Sequence, residues 1–98
     1  MNAESRSYVR ALMSAIIDGQ NWGVGAAGAP GDLPVLKNGW LPGGVPQLWA
    51  VNSVGIVERA GHTLLVVVLT DGQPTRETGI ALIEQVAATS VGALVRAP

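Results

Sequence analysis

The sequence predicts an α+β fold: an antiparallel sheet of three to four strands covered by an N-terminal and a C-terminal helix. Three observations predict it. Apolar residues recur at helical spacing before Gly19 and again after Thr75. Between these stretches, Gln47 to Arg59 alternates and His62 to Thr70 runs almost wholly apolar, and only Ala60-Gly61 separates the two. Gly and Pro clusters at Gly28-Ala29-Pro30-Gly31-Asp32 and Pro42-Gly43-Gly44 punctuate the chain where strands would have to end.

The elements follow in order. Tyr8, Val9, Leu12, Met13, Ile16 and Ile17 share one face of a helix over about 5–18, which Gly19 terminates. Trp22 to Ala27 is expected to be a short strand, and Val35 to Trp40 a second. The third strand spans 47–59, with Leu48 and Ala50 opposed to Trp49 and Val51, then Val54 and Ile56 to Val57. The fourth, 62–70, carries Leu64-Leu65-Val66-Val67-Val68-Leu69, the pattern of a central strand with both faces covered. Asp71-Gly72-Gln73-Pro74 turns the chain into a helix over 75–95, where Pro74 suits the first turn and Thr75 offers a hydroxyl cap. Ile80, Ile83, Ala87, Val91 and Leu94 form its buried stripe, Leu82 and Val86 widen it, and Arg76, Glu77 and Glu84 face solvent. The simplest architecture is a two-layer sandwich in a single domain or fragment, 1–98.

Composition narrows the function classes. The chain has 98 residues, with 6 Lys and Arg against 7 Asp and Glu, so it offers no basic field for nucleic acid or anionic lipid. It has no cysteine, which removes disulfides and thiolate metal sites. Glu58, Asp71 and Glu84 are scattered and His62 is the only histidine, so neither a metal set nor a cofactor is expected. The longest unbroken apolar run, Leu64 to Leu69, is far short of a membrane span. Met1 to Arg6 contains no apolar signal core and no basic leader, so no export signal is expected within these residues.

Most candidate motifs have bland readings. Gly23-Val24-Gly25-Ala26-Ala27-Gly28 matches a dinucleotide-type glycine pattern, but it follows a helix and leads toward Pro30 instead of opening one. His62 begins a strand after a glycine turn, with no acidic partner nearby in sequence, and reads as a solvated turn residue. Ser53 lacks a Gly-x-Ser-x-Gly elbow. Trp22, Trp40 and Trp49 suit sheet-covering positions. Lys37-Asn38-Gly39 is different in kind. A lysine projecting from a strand into a cleft is a fixed positive charge for a substrate carboxylate, and a glycine two residues on lets a substrate backbone approach. By spacing alone, Asn-Gly is also a common hairpin turn.

The order of elements adds to this: a helix, the Trp22-Gly23-Val24-Gly25 segment, the Lys37-Asn38-Gly39-Trp40 strand, the long Trp49-Ala50-Val51-Asn52-Ser53 strand, a hydrophobic strand ending in Leu69-Thr70-Asp71-Gly72, and a helix. From about Tyr8 to Leu94 this order resembles the C-terminal half of the serine β-lactamase and penicillin-binding-protein (D,D-peptidase) fold, in which a Lys-Thr/Ser-Gly triplet lies on the edge strand beside the active site. The resemblance implies that Lys37, Asn38, Gly39 and Trp40 bind substrate. Lys37 and Gly39 match the triplet, the Trp40 amide takes the place of an oxyanion donor, and Asn38 departs from the usual hydroxyl residue. It also implies a periplasmic or extracellular parent and a β-lactam or acyl-peptide-like substrate.

Acyl transfer in this family needs a Ser-x-x-Lys helix start and a second Ser-containing motif. Neither is present: Lys37 is the only lysine and position 34 is a proline. No catalytic residue is therefore assigned to this chain. Two function classes follow. The chain is either the C-terminal portion of a serine β-lactamase-like or D,D-peptidase-like hydrolase, or a non-catalytic remnant serving as a self-associating module. In both, the strand 62–70 would lie at an open edge if the family's N-terminal strands do not cover it. The expected partner is then the missing N-terminal half or another copy of the chain in a homo-oligomer.

Overall fold

A two-residue turn organises the middle of the molecule. Ala60 and Gly61 both take positive φ, 52° and 79°, the left-handed pair whose twist suits a tight hairpin. That turn pairs Arg59 with His62 and sets the register of the hairpin from there to Val51 opposite Thr70. In the computed structural model, which describes residues 1–16, 19–29, 31–32, 35–42 and 47–96, the elements are helix α1 (Ala3–Ser14), a 3₁₀ turn (Val24–Ala27), strands β1 (Val35–Pro42), β2 (Trp49–Arg59) and β3 (His62–Gln73), and helix α2 (Arg76–Arg96). The three strands form one antiparallel sheet in the order β1-β2-β3. The fold is α+β, with the sheet flanked by the N-terminal and C-terminal helices.

β2 supplies the centre of the core. Val51, Ser53, Gly55 and Val57 point to one face, where they meet α2 and the 3₁₀ turn. From α2 the buried positions are Gly79, Ile83, Ala87, Val91 and Gly92. Gly79 decides the angle: a Cβ there would lie 2.6 Å from Val51 Cγ2, so only glycine lets the helix rest directly on the strand. That contact turns the 79-83-87-91 ridge to the sheet and carries Leu82, Val86 and Leu94, expected in the buried stripe, to exposed flanks. The predicted Thr75 cap is present and reciprocal. Thr75 Oγ1 accepts the Thr78 N–H at 3.0 Å, and Thr78 Oγ1 accepts the Thr75 N–H at 3.1 Å. α2 is long and apolar enough to cross a membrane by length and composition, and 28% of that stretch is buried inside the structure.

Three further expectations about the elements change. The predicted strand over 22–27 is a single 3₁₀ turn. Gly23 breaks from extended geometry at φ 111°, and the turn closes on itself through Ala26 N–H to Gly23 O (3.1 Å) and Gly28 N–H to Gly25 O (3.0 Å), so no ladder partner is needed. α1 begins at Ala3, two residues early, because Asn2 Oδ1 caps the Ser5 N–H at 2.7 Å, and it ends at Ser14. Its expected last residues, Ile17 and Asp18, lie outside the described residues. No residue of α1 is buried; Tyr8 and Leu12 are exposed, and the helix meets the sheet mainly along β1. β3 is the third change. It stands at the sheet edge, with Leu64, Val66 and Val68 facing α2 while Leu65, Val67 and Leu69 remain 73%, 54% and 73% exposed on the other face.

Ser53 is a structural group. It is buried, and its Oγ accepts the Val24 N–H at 3.0 Å, which fixes the 3₁₀ turn over β2. Ser53→Ala leaves that N–H unpaired, and the expected loss is about 1–3 kcal/mol of unfolding free energy, measured by urea titration.

Candidate functional site

The Lys37 strand is divided by its own pleat. Alternation along β1 points Leu36, Asn38 and Trp40 to the buried face, which carries the 3₁₀ turn and α2, and Lys37 and Gly39 to the opposite face. The antiparallel register then lines up rows across the sheet: Lys37 beside Val54 beside Val67, and Gly39 beside Asn52 beside Leu69. Lys37 thus stands at one margin of a largely apolar sheet face on which Leu65, Val67 and Leu69 are exposed. Its ammonium donates to the Asn38 carbonyl at 2.7 Å. A Cβ placed on Gly39 would meet nothing within 4 Å, so the backbone here is open to an approaching group.

Asn38 and Trp40 belong to the other side. Asn38 is 6% exposed, and its Nδ2 donates to Gln20 O at 3.0 Å and Trp22 O at 2.6 Å. Its side chain pins the segment before the 3₁₀ turn to the sheet; Oδ1 is buried and has no partner among the described residues. Trp40 packs against Trp22 with ring centroids 5.7 Å apart and planes at 57°. The Arg76 guanidinium lies 4.6 Å from the Trp40 centroid and 5.5 Å from that of Trp22, within cation–π range. Of the four residues that sequence reasoning grouped as substrate-binding, the structure brings Lys37 and Gly39 together on the open face and turns the side chains of Asn38 and Trp40 away from it.

Sequence reasoning missed the second use of α2. Arg76 and Glu84 were expected to face solvent, yet Arg76 covers the tryptophan pair and the Glu84 carboxylate accepts the Gly23 N–H at 3.1 Å. Both contacts join residues far apart in sequence, so no local pattern announces them. The remaining candidates match their bland readings. His62 is exposed at the first position of β3, the Ser53 hydroxyl is engaged in the core, and the Gly23-to-Gly28 segment forms a 3₁₀ turn that opens no α-helix. Among the described residues no group of three or more His, Asp or Glu is placed to hold a metal ion. No family model, curated protein or solved structure matches this chain.

Proposed function

We propose that the chain is the sheet-bearing portion of a serine β-lactamase-like or D,D-peptidase-like hydrolase, which supplies the Lys37 strand of the active site and takes its nucleophile from a second segment. The observation that carries this reading is the company Lys37 keeps: the chain's single lysine and a glycine with no described atom within 4 Å of an added Cβ, at the margin of a largely apolar sheet face. A lobe bearing Ser-x-x-Lys and seated on Val54, Val67 and Leu69 would find that charge at its rim, where a substrate carboxylate would be drawn to it. Asn38 acts from behind the strand, holding Lys37 and Gly39 in position, and the Trp40 side chain packs on that same inner side. A substrate of the β-lactam or acyl-peptide class and a periplasmic or extracellular parent go with this reading. Asn38 also favours a second reading. The residue that carries the family's substrate hydroxyl is here an amide consumed by two backbone carbonyls, as suits a remnant that keeps the sheet as a non-catalytic, self-associating module.

The two separate on activity. The purified 98-residue chain is expected to take no label from a fluorescent penicillin, since it holds no activated nucleophile. If a Ser-x-x-Lys polypeptide is encoded beside it, the chain joined to, or mixed with, that polypeptide is expected to turn over a chromogenic cephalosporin. In that assembly Lys37→Ala should lower kcat/KM by about 5- to 150-fold, equivalent to about 1–3 kcal/mol for a lost charged hydrogen bond. The absence of any Ser-x-x-Lys frame beside the gene, or a Lys37→Ala assembly with unchanged kcat/KM, leaves the second reading in its place.

A further inference from the structure

Among the described residues the outer edge of β3 has no partner and none of the usual protection. From Thr63 to Thr70 the strand contains no charged residue and no proline, and its pairing with β2 is regular from His62 to Thr70, with the register shift falling only beyond, opposite Trp49 to Val51. The strand is also close to palindromic about Val67. Val66 mirrors Val68, Leu65 mirrors Leu69, and the outer positions are Thr63 and Asp71. An isologous interface demands such self-complementarity, because each residue i that meets j must also be met by j.

We propose that β3 is the self-pairing edge of a homodimer, in which two copies join antiparallel about a twofold axis at Val67 to make one six-stranded sheet. In this register Val67 lies opposite its counterpart and Leu65 opposite Leu69, so every outward apolar residue meets another. The His62 end of one strand reaches the Asp71 end of the other, the only ionisable groups on the edge. Behind the strand, a groove runs between β3 and α2, lined by Leu64, Val66, Val91 and the exposed Leu94, and the second copy fills it with the same residues. A twelve-residue strand is about 40 Å long, and a sheet with one helix layer is about 20 Å deep, so the contact can offer about 800 Å² per partner, the size of a stable interface. Lys37, Val54 and Val67 form one row, and the axis extends it to six positions, which puts the two Lys37 residues about 24 Å apart at opposite outer edges. The pairing goes beyond the hydrolase reading and does not depend on it: it uses the edge of β3 and leaves the face beside Lys37 free.

The chain has no cysteine, so single replacements report cleanly. Light scattering at micromolar concentration should give twice the 10.1 kDa chain mass. Under mild oxidation Val67→Cys should form the disulfide-linked dimer by itself. Leu65→Cys and Leu69→Cys should fail separately and link when mixed, since cross-strand Cα distances of about 4.5–5.5 Å suit a disulfide only for residues directly opposite. Val67→Lys should give a monomer with an unchanged circular dichroism spectrum; its position is more than half exposed, so folding is not at risk. A monomeric wild-type chain, a dimer that survives Val67→Lys, or one that links Leu65→Cys to itself overturns the proposal. Failure here leaves the cephalosporin assay of the assembled hydrolase untouched, and failure of that assay leaves the dimer standing.

Discussion

Gly23→Ala is expected to lower the stability of the protein by about 2–6 kcal/mol, a large share of the roughly 5–15 kcal/mol available to a domain of this size. Two costs combine. Gly23 sits at φ 111°, ψ −140°, a region essentially closed to residues with a Cβ. The added methyl would also point into the core wall. It would collide with Ser53 Oγ and lie 2.8 Å from Asn38 Oδ1 and 2.9 Å from Ser53 Cβ. Relief is blocked because Ser53 already holds the Val24 N–H and Asn38 already holds Gln20 O and Trp22 O. Gly31→Ala is the control: its φ is 87°, but nothing lies within 4 Å of its added Cβ, so strain alone acts there, at about 1–2 kcal/mol. Thermal melts should show Gly23→Ala falling by tens of degrees and Gly31→Ala by several. Equal losses would mean that the packing around Gly23 is not the constraint described.

Asn38→Ala is expected to cost about 2–4 kcal/mol, because the carbonyls of Gln20 and Trp22 each lose their donor inside the protein, partly offset by removal of the unpartnered Oδ1. Asn38→Thr, which writes the family's hydroxyl into the triplet, keeps one donor and gains strand preference, so its cost should be about half. Chemical denaturation measures both. In an assembled hydrolase the two variants should leave kcat/KM close to that of the parent once folded, in contrast to Lys37→Ala. An Asn38→Thr assembly that gains substrate affinity with no loss of stability would place the side chain of residue 38 on the substrate face after all.

The elements were legible where local chemistry is decisive. The Ala60-Gly61 turn, the Thr75 cap and the alternation of β2 depend on neighbours within a few residues, so their positions follow from spacing and propensity. The segment 22–27 was not legible. Its aromatic and aliphatic residues have strand character, but Gly23 breaks the extension and Asn38, Ser53 and Glu84 satisfy its backbone from 16 to 61 residues away. Of the candidate residues only the strand placement was legible. Lys37 and Gly39 lie on an exposed face of β1, while the occupation of Asn38 by two carbonyls and the Arg76 cover over Trp40 could not be read from the triplet.

By itself, the sequence determined the two helices, the three paired strands, the antiparallel hairpin, and the single lysine on a strand, because period, turn chemistry and composition are properties of short stretches. Tertiary structure alone decided which face each residue of that strand presents, that β3 ends the sheet, and that Leu82, Val86 and Leu94 stay outside the core. The physical reason is contact distance. Gly79 resting on Val51 sets the rotation of α2, and the absence of a fourth strand among the described residues leaves the β3 edge open. Neither depends on anything a window of neighbouring residues contains.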